Sequence, residues 1–197
     1  MNIYRYPERG NWPKLLARPE LNHTALEKQV RSIIAEVASR GDEAVIEFTR
    51  EFDGVELQSL EVSREEIQKA GEMVSPELKK AIDEAHWNIN TFHKKQIQGT
   101  INSVTTAGVR CWQKPVPIDR VGLYIPGGSA PLLSTVLMLG VPAKLAGCPM
   151  VVLCTPPGKD GEMNPSILYV AGLLEIDRIF RVGGVQAIAA MAYGTGT

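Results

Sequence analysis

Apolar positions recur with helical spacing through the first half of the chain. Thr24 followed three residues later by Glu27 forms a capping box, and Leu26, Val30, Ile33, Ile34 and Val37 then line one face. Gly41 reads as the stop of that helix and Asp42 as the cap of a second, running through Phe52. Phe52-Asp53-Gly54 turns the chain, and a short stretch around Leu60 and Val62 reads as a strand. Ser63 with Glu66 repeats the capping box, and Ser75-Pro76 opens a third helix that runs to about Lys95, with proline at its first position.

From Ile97 to Pro117 the pattern changes to alternation, as in VTTAGVRCWQKPV, which predicts a β-hairpin turning near Ala107-Gly108. Beyond it one unit repeats. VGLYIP (121–126), PMVVLCTP (149–156) and DRIFRVG (177–183) are continuous apolar runs, each leading into a helical segment. Their starts at 121, 149 and 177 are 28 residues apart, one βα unit with its return. Continuous rather than alternating apolar runs predict strands buried on both faces of a parallel sheet. The expected fold is therefore α/β: a mainly helical N-terminal region over 1–96, a hairpin linker over 97–118, and a Rossmann-like βαβαβα segment over 119–197.

Right-handed crossovers place a ligand crevice at the carboxyl ends of such strands, where PGG (126–128) and VGG (182–184) lie. Ser129 reads as opening the long apolar helix, to about Ala146, that comes after the first turn. A helix start presents free N–H groups that suit an anion. Gly127, Gly128 and Ser129 equally fit a turn and cap with no ligand, and the GxGxxG fingerprint is absent.

Composition narrows the function classes. A formal net charge of −1, with no local run of lysine or arginine, leaves no nucleic-acid footprint. The most apolar stretch, Ala130 to Cys148, is interrupted by Ser134, Thr135, Pro142 and Lys144 and does not read as a membrane span. The N-terminus has no apolar core of signal-peptide length. Cys111, Cys148 and Cys154 are odd in number and lack CxxC spacing, as expected of reduced thiols in a cytoplasmic protein.

Candidate catalytic groups are sparse. His86 and His93 are seven residues apart, not the i, i+4 spacing that binds a metal from one helix, and His23 precedes a helix cap. Cys154 at a strand end reads as a buried thiol before it reads as a nucleophile. Glu65-Glu66 and Asp42-Glu43 read as charges that compensate helix dipoles. No residue is assigned a catalytic or metal-binding role on these grounds.

The block VGLYIPGGSAPLLSTVLMLGVPAKLAGC, continued by VVLCTPP and VGGVQAIAAMAYGT, resembles the N-terminal part of histidinol dehydrogenase. The likeness reaches back more weakly over RGDEAVIEFTREFDG and NINTFHKKQ, so it covers nearly the whole chain. The resemblance implies a zinc-dependent homodimer that oxidises L-histidinol through the aldehyde to L-histidine with two NAD. It also implies NAD contacts at Tyr124, in the GLYIPGG block, and at Gln186, in the GG-x-QAIAA block, both facing one crevice. The family's GPGN loop, its zinc ligands and its proton-handling Glu-His pair have no counterpart among these residues. The expectation is an N-terminal portion, truncated before the zinc and inactive alone; the alternative is a stand-alone nucleotide- or anion-binding module without catalysis.

Overall fold

Local devices set the helix starts of the first half. In this computed structural model, which describes residues 3–18, 24–128 and 131–196, a short helix α1 (Trp12–Leu16) precedes α2 (Thr24–Arg40) and α3 (Asp42–Asp53). Gly41, at φ +59°, occupies the cap of α3 and supplies no side chain. Asp42 is therefore the first residue inside the helix, where its charge meets the positive end of the dipole, and not the expected cap. At α4 (Arg64–Met73) the capping box is complete: Glu66 N–H donates to Ser63 Oγ, and Ser63 N–H donates to Glu66 Oε2 at 2.8 Å. Helix α5 (Pro76–Lys94) has Ser75 as cap and proline at its first position.

The predicted ribbon forms as β1 (Ile101–Thr106) and β2 (Val109–Gln113), antiparallel, with a register shift between Val104 and Thr106. Both strands are exposed along their whole length.

The repeating half folds as β3 (Arg120–Tyr124), α6 (Leu133–Leu145), β4 (Met150–Thr155), α7 (Pro165–Leu173), β5 (Arg178–Arg181) and α8 (Gly184–Tyr193). The three strands are parallel, in the order β3-β4-β5, with Tyr124 beside Cys154 and Cys154 beside Phe180. Side chains alternate between the two faces. Leu123, Ile125, Val151, Leu153 and Ile179 pack under α6 and α7, whereas Tyr124, Cys154, Phe180 and Val182 pack with residues of α2, α3 and α8. The first-half helices cover those layers, α4 on α7, α5 on α6, and α2 on α8.

The stretch around Leu60 and Val62 is strand-like over one bridge only, Glu61 with Phe180, running antiparallel along the outer edge of β5. Val62 N–H donates to Ile179 O at 2.9 Å and Arg181 N–H to Leu60 O at 2.8 Å, so this edge is paired. The Arg178 guanidinium grips both oxygens of Glu61, at 2.8 and 2.6 Å, and fastens the same segment.

One boundary differs from expectation at the PGGS turn. Helix α6 starts at Leu133, and Leu132 at its cap makes no side-chain capping bond. Ser129, expected to open this helix, stands four positions ahead of that start and lies outside the described residues.

Candidate functional site

The three βα turns interlock around Pro156. A Cβ added to Gly127, after β3, would stand 2.5 Å from Pro156 Cγ, and one on Gly183, after β5, would stand 2.7 Å from Pro156 Cβ. No larger residue fits at either glycine without moving a proline ring, so the turns form a tight floor at the carboxyl ends of the strands. Different regions open on the two sides of this floor.

On the α4 and α7 side lies a cavity of about 680 Å³, within the range of small-molecule sites. Gly127 and Gly128 border it together with Lys69, Thr155, Asp160 and Asn164. Glu66 lines it too. Burial alone would push the Glu66 carboxyl up, but the Ser63 N–H and the Arg181 guanidinium, at 2.6 and 2.8 Å from its two oxygens, hold it below the usual carboxylate range. Glu66 is therefore an ionised structural clamp, not simply the dipole-compensating surface charge its place in the first turn suggests. Asp160 is occupied by the Glu162 N–H at 3.1 Å, and Asn164 caps α7 through the Ser166 N–H.

Tyr124 and Gln186 meet on the other side. Tyr124 leaves β3 toward α8, and its hydroxyl accepts the Gly184 N–H at 3.0 Å. Gly184 has φ +61°, the left-handed region where glycine is at ease. A Cβ there would also collide with Gln186 Oε1 at 2.6 Å. Gln186, in the first turn of α8, is 1% exposed, and neither its Oε1 nor its Nε2 has a hydrogen-bond partner among the described residues. Gly184 thus brings the two sequence-predicted residues together. Neither lines the large cavity on the α4 and α7 side. The reason is the two-residue period of the strand, which turns Tyr124 toward α8 while that cavity opens on the opposite face.

The remaining candidates divide clearly. Cys154 is buried, and burial pushes its thiol up to about 12, so it stays protonated and is no nucleophile at neutral pH. His86 and His93 lie on α5, where His93 Nδ1 sits 2.7 Å from Gln96 Oε1; His23 is outside the described residues. Among the described residues no group of three or more His, Cys, Asp or Glu is placed to hold a metal ion, so zinc finds no ligand set there. No helix among them is long and apolar enough to cross a membrane. The sequence pattern did not single out Arg181; its signal was a charge set between the apolar Phe180 and Val182.

The sequence model of the histidinol dehydrogenase family matches residues 16–197. The chain is 55% identical over 195 residues to the histidinol dehydrogenase of Bacteroides thetaiotaomicron, an alignment covering 99% of this chain and 46% of that protein. It is 54% identical over 166 residues to that of Xanthomonas axonopodis pv. citri, covering 84% of this chain and 38% of the relative. The crystal structure of histidinol dehydrogenase from Elizabethkingia anophelis superposes with a TM-score of 0.92 at 46% identity, over 97% of this chain and 44% of that one. The chain spans about half the length of these relatives. By sequence along nearly its whole length and by fold, this chain belongs to the histidinol dehydrogenase family.

Proposed function

We propose that this chain supplies part of the NAD-binding floor of a cytoplasmic, homodimeric enzyme. That enzyme oxidises L-histidinol through L-histidinaldehyde to L-histidine, with two NAD per product, in histidine biosynthesis. The names of the relatives support the activity. One observation carries the cofactor assignment: the Tyr124 hydroxyl, the Gly184 N–H and the unpartnered Gln186 amide converge at the start of α8. Bound there, NAD supplies the hydride acceptor. Tyr124 offers a phenol, Gln186 an amide with one donor and one acceptor group, and the Pro156 lock fixes the turn that carries them.

The described residues provide no zinc ligand set, and no step of the reaction is derived through the metal. The 197 residues alone are expected to produce no NADH from histidinol, with or without added zinc; measurable turnover contradicts this. A binding module without catalysis is the second reading, favoured by that same lack of a ligand cluster. NAD, supplied at about a hundredfold excess over its dissociation constant, should stabilise the folded chain by about 2.7 kcal/mol in a thermal melt. The shift should shrink in both Tyr124→Phe and Gln186→Ala. A melting temperature indifferent to NAD rules the cofactor assignment out.

A further inference from the structure

We propose that Arg181 is a positioning residue: its guanidinium, held by Glu66, sets the Gly183-Gly184 turn at which Tyr124 and Gln186 meet. This rests on the reading of Tyr124 and Gln186 as NAD contacts. It names a side chain that bonds to neither of them and acts on both through the backbone between.

Arg181 is the last residue of β5, and the period of the strand puts its side chain on the face of Ile179, away from α8. It is buried there, a cation among apolar strand neighbours. Its Nη2 donates to both Glu66 oxygens, at 2.6 and 2.8 Å, and lies 3.5 Å from the Glu61 carbonyl oxygen. Its Nη1 lies 3.5 Å from the Gly161 carbonyl oxygen. One head group thus joins the start of α4, the segment along the edge of β5, and the loop between β4 and α7. That loop begins at Pro156, whose ring is wedged against Gly127 and Gly183. Arg181 therefore ties the loop that supplies the wedge to the strand that carries Gly183.

Stability alone does not account for this group. A buried ion pair gains little over an apolar replacement of the same shape, because desolvation offsets the attraction. The Arg181 Nε is also buried without a partner among the described residues, a further cost. What the pair provides is direction. Glu66 is itself fixed by the Ser63 N–H within the capping box, so the guanidinium has one place to sit. From that anchor the chain has only buried Val182 and extended Gly183 before Gly184, at φ +61°, offers its N–H to the Tyr124 hydroxyl. The Pro156 ring leaves Gly183 no room to absorb a shift. A displacement of Arg181 therefore passes to the Gly184 bond with little slack. Arg178 supplies the comparison, since it makes a similar pair with Glu61 at the start of the same strand.

The test compares Arg181→Met, Arg181→Lys and Arg178→Met with the unaltered 197-residue chain, ¹⁵N-labelled, with Tyr124→Phe marking where the Gly184 amide resonance goes when its bond is absent. In Arg181→Met that resonance should move along the same line, and NAD, followed by calorimetry, should bind about tenfold more weakly. Arg181→Lys reaches Glu66 with an ammonium but lacks the fork, and should fall between. Arg178→Met removes the comparison pair; it should lower the urea midpoint while Gly184 and the NAD affinity stay as they are. Glu66 is only half-buried and keeps the Ser63 N–H, so Arg181→Met should fold; should it not, Arg181→Lys carries the same comparison. A Gly184 resonance unmoved in the Arg181 variants, or moved equally in Arg178→Met, overturns the positioning role. So does an NAD affinity equal to that of the unaltered chain, and the cofactor reading then stands. If the unaltered chain binds no NAD while Arg181→Met still moves Gly184, the positioning role stands and the cofactor reading falls.

Discussion

The chain builds two sheets, one from alternating and one from continuous apolar runs, and they have opposite fates. The β3-β4-β5 sheet is covered on both faces, and its central Leu153 is 0% exposed. Among the described residues the β1-β2 ribbon has no layer on either face, and its Trp112 is 69% exposed. The difference lies in the element that comes after each strand. Each buried strand leads through a turn into an apolar helix that returns over the sheet, while the ribbon strands pair only with each other. The parallel sheet therefore has the rigidity to place Tyr124 against Gly184, and the ribbon has not.

Core truncation should expose that contrast most sharply. Leu153→Ala should cost about 3–5 kcal/mol in urea unfolding, from lost burial and the cavity left behind. Trp112→Ala on the ribbon should stay within about 0.5 kcal/mol. Equal costs would mean that the ribbon is covered in solution.

A smaller effect is expected at the strand-end floor. Gly127→Ala drives a methyl into the Pro156 ring, a contact of 2.5 Å that no flexible side chain can relieve. A loss of about 1–3 kcal/mol is expected, with weaker NAD binding beside it. An unchanged urea midpoint would show that the three turns do not interlock.

Acid should loosen the buried sheet before the ribbon, which carries no carboxylate in either strand. The Arg178 guanidinium holds Glu61 below the usual carboxylate range, the Val151 N–H together with Lys144 does so for Asp177, and Glu66 is held down by its clamp against the pull of burial. With folded pKa values depressed, the unfolded chain binds more protons. The stabilisation is complete above the unfolded pKa values and is lost as pH falls through the folded ones. Urea midpoints should therefore drop on acidification through the carboxylate range, and Glu66→Gln should flatten part of that slope. A midpoint independent of pH there contradicts these pairings.

Thiol labelling is the gentlest probe. Cys111 on β2 is exposed and should react with iodoacetamide in the native protein, whereas Cys154 should react only on unfolding. Native-state labelling of Cys154 would show that the α8 side of the sheet opens.

Features settled by neighbours in sequence were the ones legible in the chain. The Ser63–Glu66 box, the proline start at Pro76, the turn at Gly108 and the three apolar runs all rest on groups within a few residues of one another. The start of α6 slipped because Ser129 offers a cap chemically, while Pro131 and Leu132 precede the first turn without joining it. Groups far apart in sequence were not legible. Arg181 reaches Glu66 across 115 positions, and Glu61 reaches Arg178 across 117. Tyr124 and Gln186 were named through the family likeness, but their meeting at Gly184, and the burial of the Gln186 amide, depend on the alternation of β3 and the tight turn before α8. No local pattern encodes either.

The central claim is that Tyr124 and Gln186 act on one ligand through the start of α8. A calorimetric NAD titration of the unaltered chain, Tyr124→Phe, Gln186→Ala and the double variant tests it most directly. Saturable binding, weakened by each change and weakened less by the pair than the sum of the two, is the predicted result. No heat of binding to the unaltered chain, or affinities untouched by either substitution, would contradict it.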